Sequence, residues 1–402
     1  MPTTLTARWL CPIGRPALAN GLLTFVGDRI LAIEPAGTRR AAIDLGEVVV
    51  LPGLVNAHTH LDLTGMAGLA PPSPDFPAWL RQVVAYRRQR SADQVRADIR
   101  LGSEACLRSG TTLVGDISAD GSSWDILANG PLRAVVFREL LGLTSERAAN
   151  ALRLAGDWLA NRTPTVHCRP ALSPHAPYSV RRDLFDQTTR LAAQYRCPLA
   201  VHLAETAFEE QLLCDHTGPL ATFLQSLGVW DSEGLVSGFA EVLHREIPDV
   251  PRLLIHGNYL PDDLDIPTGT TIVYCPRTHA AFGHSPHPWR KWLARGVPVA
   301  FGTDSLASNP DLSLLAEIRF LHRLAPEVSP VELVSLATLG GANALGLGDQ
   351  AGSLEPGKWA DFIAVRLQQP STTDPLEDLL SSQAEPEAVF VGGRQVVGGQ
   401  SS

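Results

Sequence analysis

The sequence predicts an α/β fold: a (β/α)8 barrel of the TIM type, with a small β-sandwich formed by both termini. Three observations predict it. Eight short, β-branched, apolar runs recur along the middle of the 402-residue chain, separated by amphipathic stretches. The runs are near-continuously apolar, which suits a parallel sheet covered on both faces. The two ends of the chain alternate instead in the two-residue rhythm of antiparallel strands.

The eight runs are 48–58 (VVVLPGLVNAH), 110–118 (GTTLVGDIS), 133–140 (RAVVFREL), 165–176 (TVHCRPALSPHA), 198–205 (PLAVHLAE), 251–258 (PRLLIHGN), 270–277 (TTIVYCPR) and 298–305 (PVAFGTDS). Helical stretches at 76–109, 179–196 and 312–325 lie between them. Strand–helix alternation repeated eight times predicts a closed barrel. LLTFVGDRILAIEP near the start, and LEPGKWADFIAVRL and EAVFVGGRQVVGG near the end, read as one β-domain. Residues 1–51 and 350–402 are therefore assigned to the sandwich and 52–349 to the barrel. Leu61–Trp79 and Arg277–Arg290 are too long for simple connections. Both follow strand ends, where barrel active sites lie, and read as lids over a substrate.

Composition excludes several classes. A formal net charge of −9 argues against a nucleic-acid surface. No apolar run approaches the roughly 18 residues that span a bilayer. MPTTLTARWLCPIGRP lacks a basic segment followed by an apolar one, so a cytoplasmic protein is expected. The six cysteines are scattered and form no CxxC pair, as expected of reduced, mostly buried thiols. The partner is expected to be a small molecule, and a homodimer is compatible with all of this.

Polar side chains collect at the C-terminal ends of the predicted strands. His58 and His60 end the first; two residues apart on a strand, they point to the same side. His202 ends the fifth, with Glu205 three residues on; His256 ends the sixth and Asp304 the eighth. A lone histidine is ordinarily structural, and HxH by itself is weak evidence. Four separate strand ends converging on one barrel mouth point to a bound divalent transition metal. Zinc is the expected ion, with iron as the alternative.

PGLVNAHTH, VHLAE, LIHGN and FGTDSLASN together resemble the amidohydrolase superfamily. The similarity is strongest to the branch of adenosine-type and other aminoheterocycle deaminases and chlorohydrolases, and it covers essentially the whole chain. The resemblance implies that His58, His60, His202 and Asp304 bind the metal, which lowers the pKa of its water. It implies further that Asp304 takes that water's proton, Glu205 protonates the ring nitrogen beside the attacked carbon, and His256 orients the water. Binuclear relatives bridge two metals with a carboxylated lysine at the fourth strand end. Only Lys291 and Lys358 are present among 33 basic residues, and SPHAP offers no acid there, so one metal per site is expected.

On the substrate side, His175 in SPHAPYSV resembles a substrate-contacting histidine of the deaminase branch. Arg138 could clamp a carboxylate or phosphate, or pair with Glu139. His60-Leu61-Asp62-Leu63-Thr64 is similar to the first lid of aminodeoxyfutalosine deaminases, with Asp62 at an acidic position. Arg277 and His279 open the second lid, where His279, His284 and His287 suggest a solvated His-Pro loop rather than a second zinc site. Gly346–Ala351 matches GxGxxA but follows a helix, so no dinucleotide site is expected. The implied activity is hydrolytic deamination of an aminopurine nucleoside-like compound of the aminodeoxyfutalosine or S-adenosylhomocysteine type. The alternatives are guanine, pterin or cytosine deamination or triazine dechlorination on the same site, and then a non-catalytic barrel used for binding.

Overall fold

The computed structural model describes residues 1–243 and 250–398. Eight parallel strands stand in chain order around a barrel: β1 (Leu54–Thr59), β2 (Thr111–Ser118), β3 (Arg133–Leu140), β4 (Cys168–Pro174), β5 (Leu199–Leu203), β6 (Arg252–His256), β7 (Thr270–Tyr274) and β8 (Val299–Phe301). Neighbours pair in parallel from β1 through β8. The last gap is bridged just past β8, where Thr303 and Asp304 donate their amides to the His58 carbonyl, each at 3.1 Å. A core cluster with residues from all eight strands, among them Val55, Leu113, Phe137, Ala200, Ile255 and Ala300, fills the interior.

The first predicted run is in fact two elements. Val48–Pro52 pairs antiparallel with Phe362–Arg366 of the terminal domain, and β1 starts only at Leu54. Gly53 is the break. A Cβ there would lie 2.1 Å from the Thr112 hydroxyl oxygen, so no other residue fits this close approach. Unbroken apolar character across 48–58 hides the change of sheet.

The termini form two sheets. Arg29–Glu34, Leu22–Val26, Thr3–Thr6 and Ile43–Asp44 make a four-stranded sheet. Arg394–Val397, Pro386–Val391, Phe362–Arg366, Val48–Pro52, Trp9–Leu10 and Leu18–Ala19 make a six-stranded one. Leu5, Leu23, Phe25, Val50, Phe362 and Phe390 share their core, with Phe362 stacked on Phe390 at 4.4 Å. The terminal domain is joined to the barrel by a buried ion pair. Arg133, at the start of β3, forks onto Asp361 at 2.6 and 3.2 Å under the ring of Trp359.

The single helical stretch expected at 76–109 is two helices, α1 (Phe76–Gln89) and α2 (Ala92–Arg108). Ser91 and Gln94 form a capping box between them, Ser91 accepting from the Gln94 amide and Gln94 from the Ser91 amide. That Ser-x-x-Gln signature is present in the sequence and marks the second start.

Candidate active site

The site is assembled at the C-terminal ends of β1, β5, β6 and β8. In β1 the ladder slips between Asn56 and Thr59, a bulge of the kind that re-aims side chains beside active sites. His58 and His60 project from it with ring centroids 4.9 Å apart. The His202 ring lies 4.9 Å from His58 and 5.4 Å from His60. Asp304 Oδ1 stands 3.5 Å from Nε2 of both His58 and His60. All four side chains are buried.

Three of these strand ends carry a non-glycine residue in the left-handed region: Ala204 (φ 54°), His256 (φ 70°) and Asp304 (φ 59°). Each such conformation costs roughly 1–3 kcal/mol and persists only where surrounding contacts over-determine it. Those contacts are visible. Thr59 donates its hydroxyl to the Asp304 carbonyl at 3.0 Å, and Ser308 donates to Asp304 Oδ2 at 2.7 Å. Asn56 links to Thr303 through both side chain and amide. After β5, the amides of Ala204 and Glu205 donate to the two oxygens of buried Glu209 at 3.0 and 3.3 Å. The Asn258 side chain donates to the Glu205 carbonyl at 2.8 Å. His287 donates from Nε2 to the His256 carbonyl at 2.7 Å while stacked on Tyr274.

The donor chemistry fits a metal. His58, His60 and Asp304 form one group whose ligand atoms lie within 4.8 Å of one another, and His58, His202 and His256 form another. Both ring nitrogens of His58 and Nδ1 of His60 are buried without a hydrogen-bond partner. Orphaned buried nitrogens are costly unless something else binds them. His202 is oriented by donating Nδ1–H to the His175 carbonyl at 3.1 Å, which leaves its Nε2 lone pair facing the cluster. Among the described residues no other group of ligand-type side chains meets this spacing.

Burial drives the electrostatics. It holds His60 and His202 well below the usual histidine range, and His256 down to about 3, so these rings are neutral and able to coordinate or accept. Burial, with Asp304 and Glu209 nearby, raises Glu205 well above the usual carboxylate range. Burial alone would also raise Asp304, but His58, His256 and the Ser308 hydroxyl outweigh it and keep it below its ordinary value. Two carboxylates in one site are thereby pushed apart, one toward the acid and one toward the base. Glu205 Oε1 lies 3.4 Å from His256 Nε2.

The expected substrate contacts divide. His175 stays at the mouth, 4.9 Å from the His202 ring, with Nδ1 on the Ser179 hydroxyl at 2.6 Å. Asp62 sits in a 3-10 turn, Leu61–Met66, buried against Arg87 of α1 at 3.3 Å. Arg138 is not brought into the cluster. It follows Phe137 and precedes Glu139 on β3, so it faces the other way, and its guanidinium donates to the Asp120 carbonyl. Nor does it pair with Glu139, whose partner is Arg87 at 3.0 Å. Arg277 is fully engaged with Glu317 at 2.7 Å and with both oxygens of Asp311, leaving no free face for an anion. His279 is buried, with Nδ1 on the Asn258 side-chain oxygen Oδ1 at 3.1 Å.

The second lid turns its histidines and Phe282 inward, while Ala281, Gly283, Ser285 and Pro286 stay exposed. Pro276–Ala281 is a helical turn, and His279, His284 and His287 gather around Tyr274 and Tyr259. Phe282 then meets Phe76 and Trp79 of the first lid at 5.6 and 5.0 Å, so the two lids close on each other. Trp79 also donates to the Ala307 carbonyl at 3.1 Å. Sequence reasoning missed Arg87, which carries no signal distinguishing it from Arg88. It also missed Asp116, which accepts the Leu61 amide at 2.9 Å and fixes the first lid's start.

Comparisons with known proteins identify relatives of this chain. Residues 49–396 match the amidohydrolase family. A 5-methylthioadenosine/S-adenosylhomocysteine deaminase of Moorella thermoacetica is 31% identical over 392 residues, covering 91% of this chain and 86% of its own. The crystal structure of an adenosine deaminase from Xanthomonas campestris with bound zinc is 26% identical, with a TM-score of 0.79 over 98% of this chain and 93% of that one. Helicobacter pylori aminofutalosine deaminase shares the fold at 24% identity and a TM-score of 0.84, covering 99% of this chain and 100% of its own.

Proposed function

The chain belongs to the amidohydrolase family, and from that premise we propose that it is a hydrolytic deaminase of an aminopurine nucleoside-like substrate, with one divalent metal per site. One observation carries the proposal: two sets of ligand-type side chains, His58–His60–Asp304 and His58–His202–His256, share His58 at the barrel mouth, with Glu205 3.4 Å from His256. Relatives named 5-methylthioadenosine/S-adenosylhomocysteine deaminase at 31% and 32% identity favour that substrate type. The aminofutalosine type stays within the class.

A divalent ion held by His58, His60, His202 and Asp304 would supply Lewis acidity that brings the pKa of water toward neutrality. The chain's own groups do the rest. Asp304, held by Ser308, receives the proton of the attacking water. Glu205, kept protonated by its burial, donates to the ring nitrogen next to the amine-bearing carbon, so that no negative charge accumulates on the ring. His256, neutral and locked through its carbonyl by His287, orients the water. As the C–N bond breaks, Asp304 returns its proton to the departing amine, which leaves as ammonia, and the hydroxyl proton of the adduct passes to Glu205 as the carbonyl forms.

The single-metal reading rests on the absence of lysine before residue 291 and of any acid in the Pro174–His175 segment that ends β4. Zinc is favoured by the nitrogen-rich donor set and by the zinc-bound Xanthomonas campestris relative. The six cysteines are free and five are buried, in keeping with a cytoplasmic setting. No described helix is long and apolar enough to cross a membrane.

Metal analysis alongside a panel of adenosine, 5′-methylthioadenosine, S-adenosylhomocysteine and aminodeoxyfutalosine tests the proposal. The expected result is about one metal per chain, ammonia release, and the ultraviolet change from an adenine to a hypoxanthine. Removing the metal with a chelator abolishes both signals, and adding zinc restores them. A metal-loaded protein releasing no ammonia from any of the four would move the assignment to guanine, pterin or triazine substrates.

A further inference from the structure

The second lid holds both members of the Glu205–His256 pair by their main-chain carbonyls. His287 donates from Nε2 to the His256 carbonyl at 2.7 Å. His279 reaches Glu205 through one intermediary. Its Nδ1 lies 3.1 Å from Asn258 Oδ1, and Asn258 Nδ2 donates to the Glu205 carbonyl at 2.8 Å.

Chemistry fixes the direction of both bonds. A carbonyl oxygen only accepts, so Asn258 must turn its amide nitrogen to Glu205 and its oxygen to His279. A flipped Asn258 would set oxygen against oxygen. The Asn258 oxygen also only accepts, so His279 must donate Nδ1–H. All three residues are buried, where a lost partner is not readily replaced by water.

The backbone explains why a side chain is used here. At the end of β5 the Leu203 and Ala204 carbonyls accept from the Gly257 and Tyr259 amides, each at 3.0 Å. Ala204, at φ 54°, then turns the chain away, and Asn258 supplies the next bond of the series from its side chain. On the other side, the Glu205 amide donates to Glu209 at 3.3 Å. Thr206-x-x-Glu209 has the form of a capping box, whose glutamate ordinarily takes the threonine amide. Here it takes the amides of Ala204 and Glu205 instead. Both main-chain polar groups of Glu205 are therefore engaged, one by its own helix and one, through Asn258, by the second lid.

We infer that Asn258 and His279 are positioning residues for Glu205, so that the seat of the second lid sets the placement of the proton donor. This rests on the deaminase reading above for the role of Glu205. A proton donor must meet one ring nitrogen, and a displacement of about 1 Å there costs roughly a hundredfold. His279 thus serves the chemistry without touching the substrate.

The test is a double-variant cycle on the metal-loaded enzyme, with kcat, KM and metal content determined for each protein. His279→Phe keeps a ring and removes the donor. His279→Asn places an amide nitrogen as many bonds from the backbone as Nδ1. Asn258→Leu removes the intermediary. In H279F and in N258L, kcat should fall about 10–100-fold, with KM within about threefold and metal content unchanged. H279N should recover most of that loss, and adding H279F to N258L should slow it by no more than about twofold. Unchanged kcat in H279F, a rise in KM in its place, no recovery in H279N, or losses that multiply in the double variant each overturn the inference. Crystal structures of wild type and H279F add a readout that needs no turnover. Glu205 should leave its 3.4 Å approach to His256 in H279F, and Glu205 unmoved overturns the inference whatever the substrate. No ammonia from wild type would count against the deaminase reading alone, and the two crystal structures would still decide this one.

Discussion

At the ends of β1, β5, β6 and β8, functional side chains are aimed by backbone; in the lids above them, they are aimed mainly by side-chain contacts. His58, Glu205, His256 and Asp304 sit on a bulge, beside a left-handed residue, or on one. Their directions are enforced by Thr59, Asn56, Glu209, Ser308 and Asn258. Arg87, Asp62, Trp79 and Phe282 have no such frame. They hold position through the Asp62–Arg87–Glu139 ion group, the Phe76–Trp79–Phe282 aromatic cluster and the Trp79 bond to the Ala307 carbonyl. The difference separates chemistry from selection: a rigid frame suits groups that must meet a reacting atom, whereas adaptable packing suits a surface that decides what enters.

The sharpest way to test the frame is to remove a ligand from it. His202→Ala should lose the bound metal and lower turnover by about four orders of magnitude or more, read by metal analysis and ammonia release. Retained metal would break the ligand assignment. On the lid side, Arg277→Ala leaves Glu317 buried without its partner, at a cost of about 3 kcal/mol in a denaturant titration. Its preference among nucleosides should not change. A changed preference would return Arg277 to the substrate.

Ser308→Ala removes only the hydroxyl that holds Asp304 Oδ2. Activity should fall roughly 10–100-fold with metal content preserved, as expected of a group that positions a ligand. Arg138→Ala should be the mildest. Its guanidinium reaches a backbone carbonyl away from the cluster, so stability should stay within about 0.5 kcal/mol and kinetics near wild type. A large rise in KM would place Arg138 back at the mouth.

The same divide explains what the sequence made legible. Strand-end residues could be read because period-two geometry and a closed barrel leave few places for HxH, VHLAE, LIHGN and GTDS to point. Even there one apolar run, 48–58, covers two strands that part at Gly53, since apolar character does not record a change of sheet. The lids were harder. Arg87 and Arg88 are adjacent arginines on one helix, and only the approach of Asp62 and Glu139 selects the first. Arg277 and Arg138 looked like anion clamps because the sequence shows a free cation at a strand end, but not Glu317, Asp311 or the Asp120 carbonyl waiting beside it. Three histidines in a Pro-containing loop read as solvated, while packing against Tyr274 and Tyr259 encloses them.

The central claim is that one framed metal site works with Glu205 as the proton donor to the ring. The most direct measurement is Glu205→Gln, with metal content and turnover determined on the same preparation. The account predicts wild-type metal content and a fall in kcat of about a thousandfold. Activity within a few-fold of wild type at full metal content would contradict it.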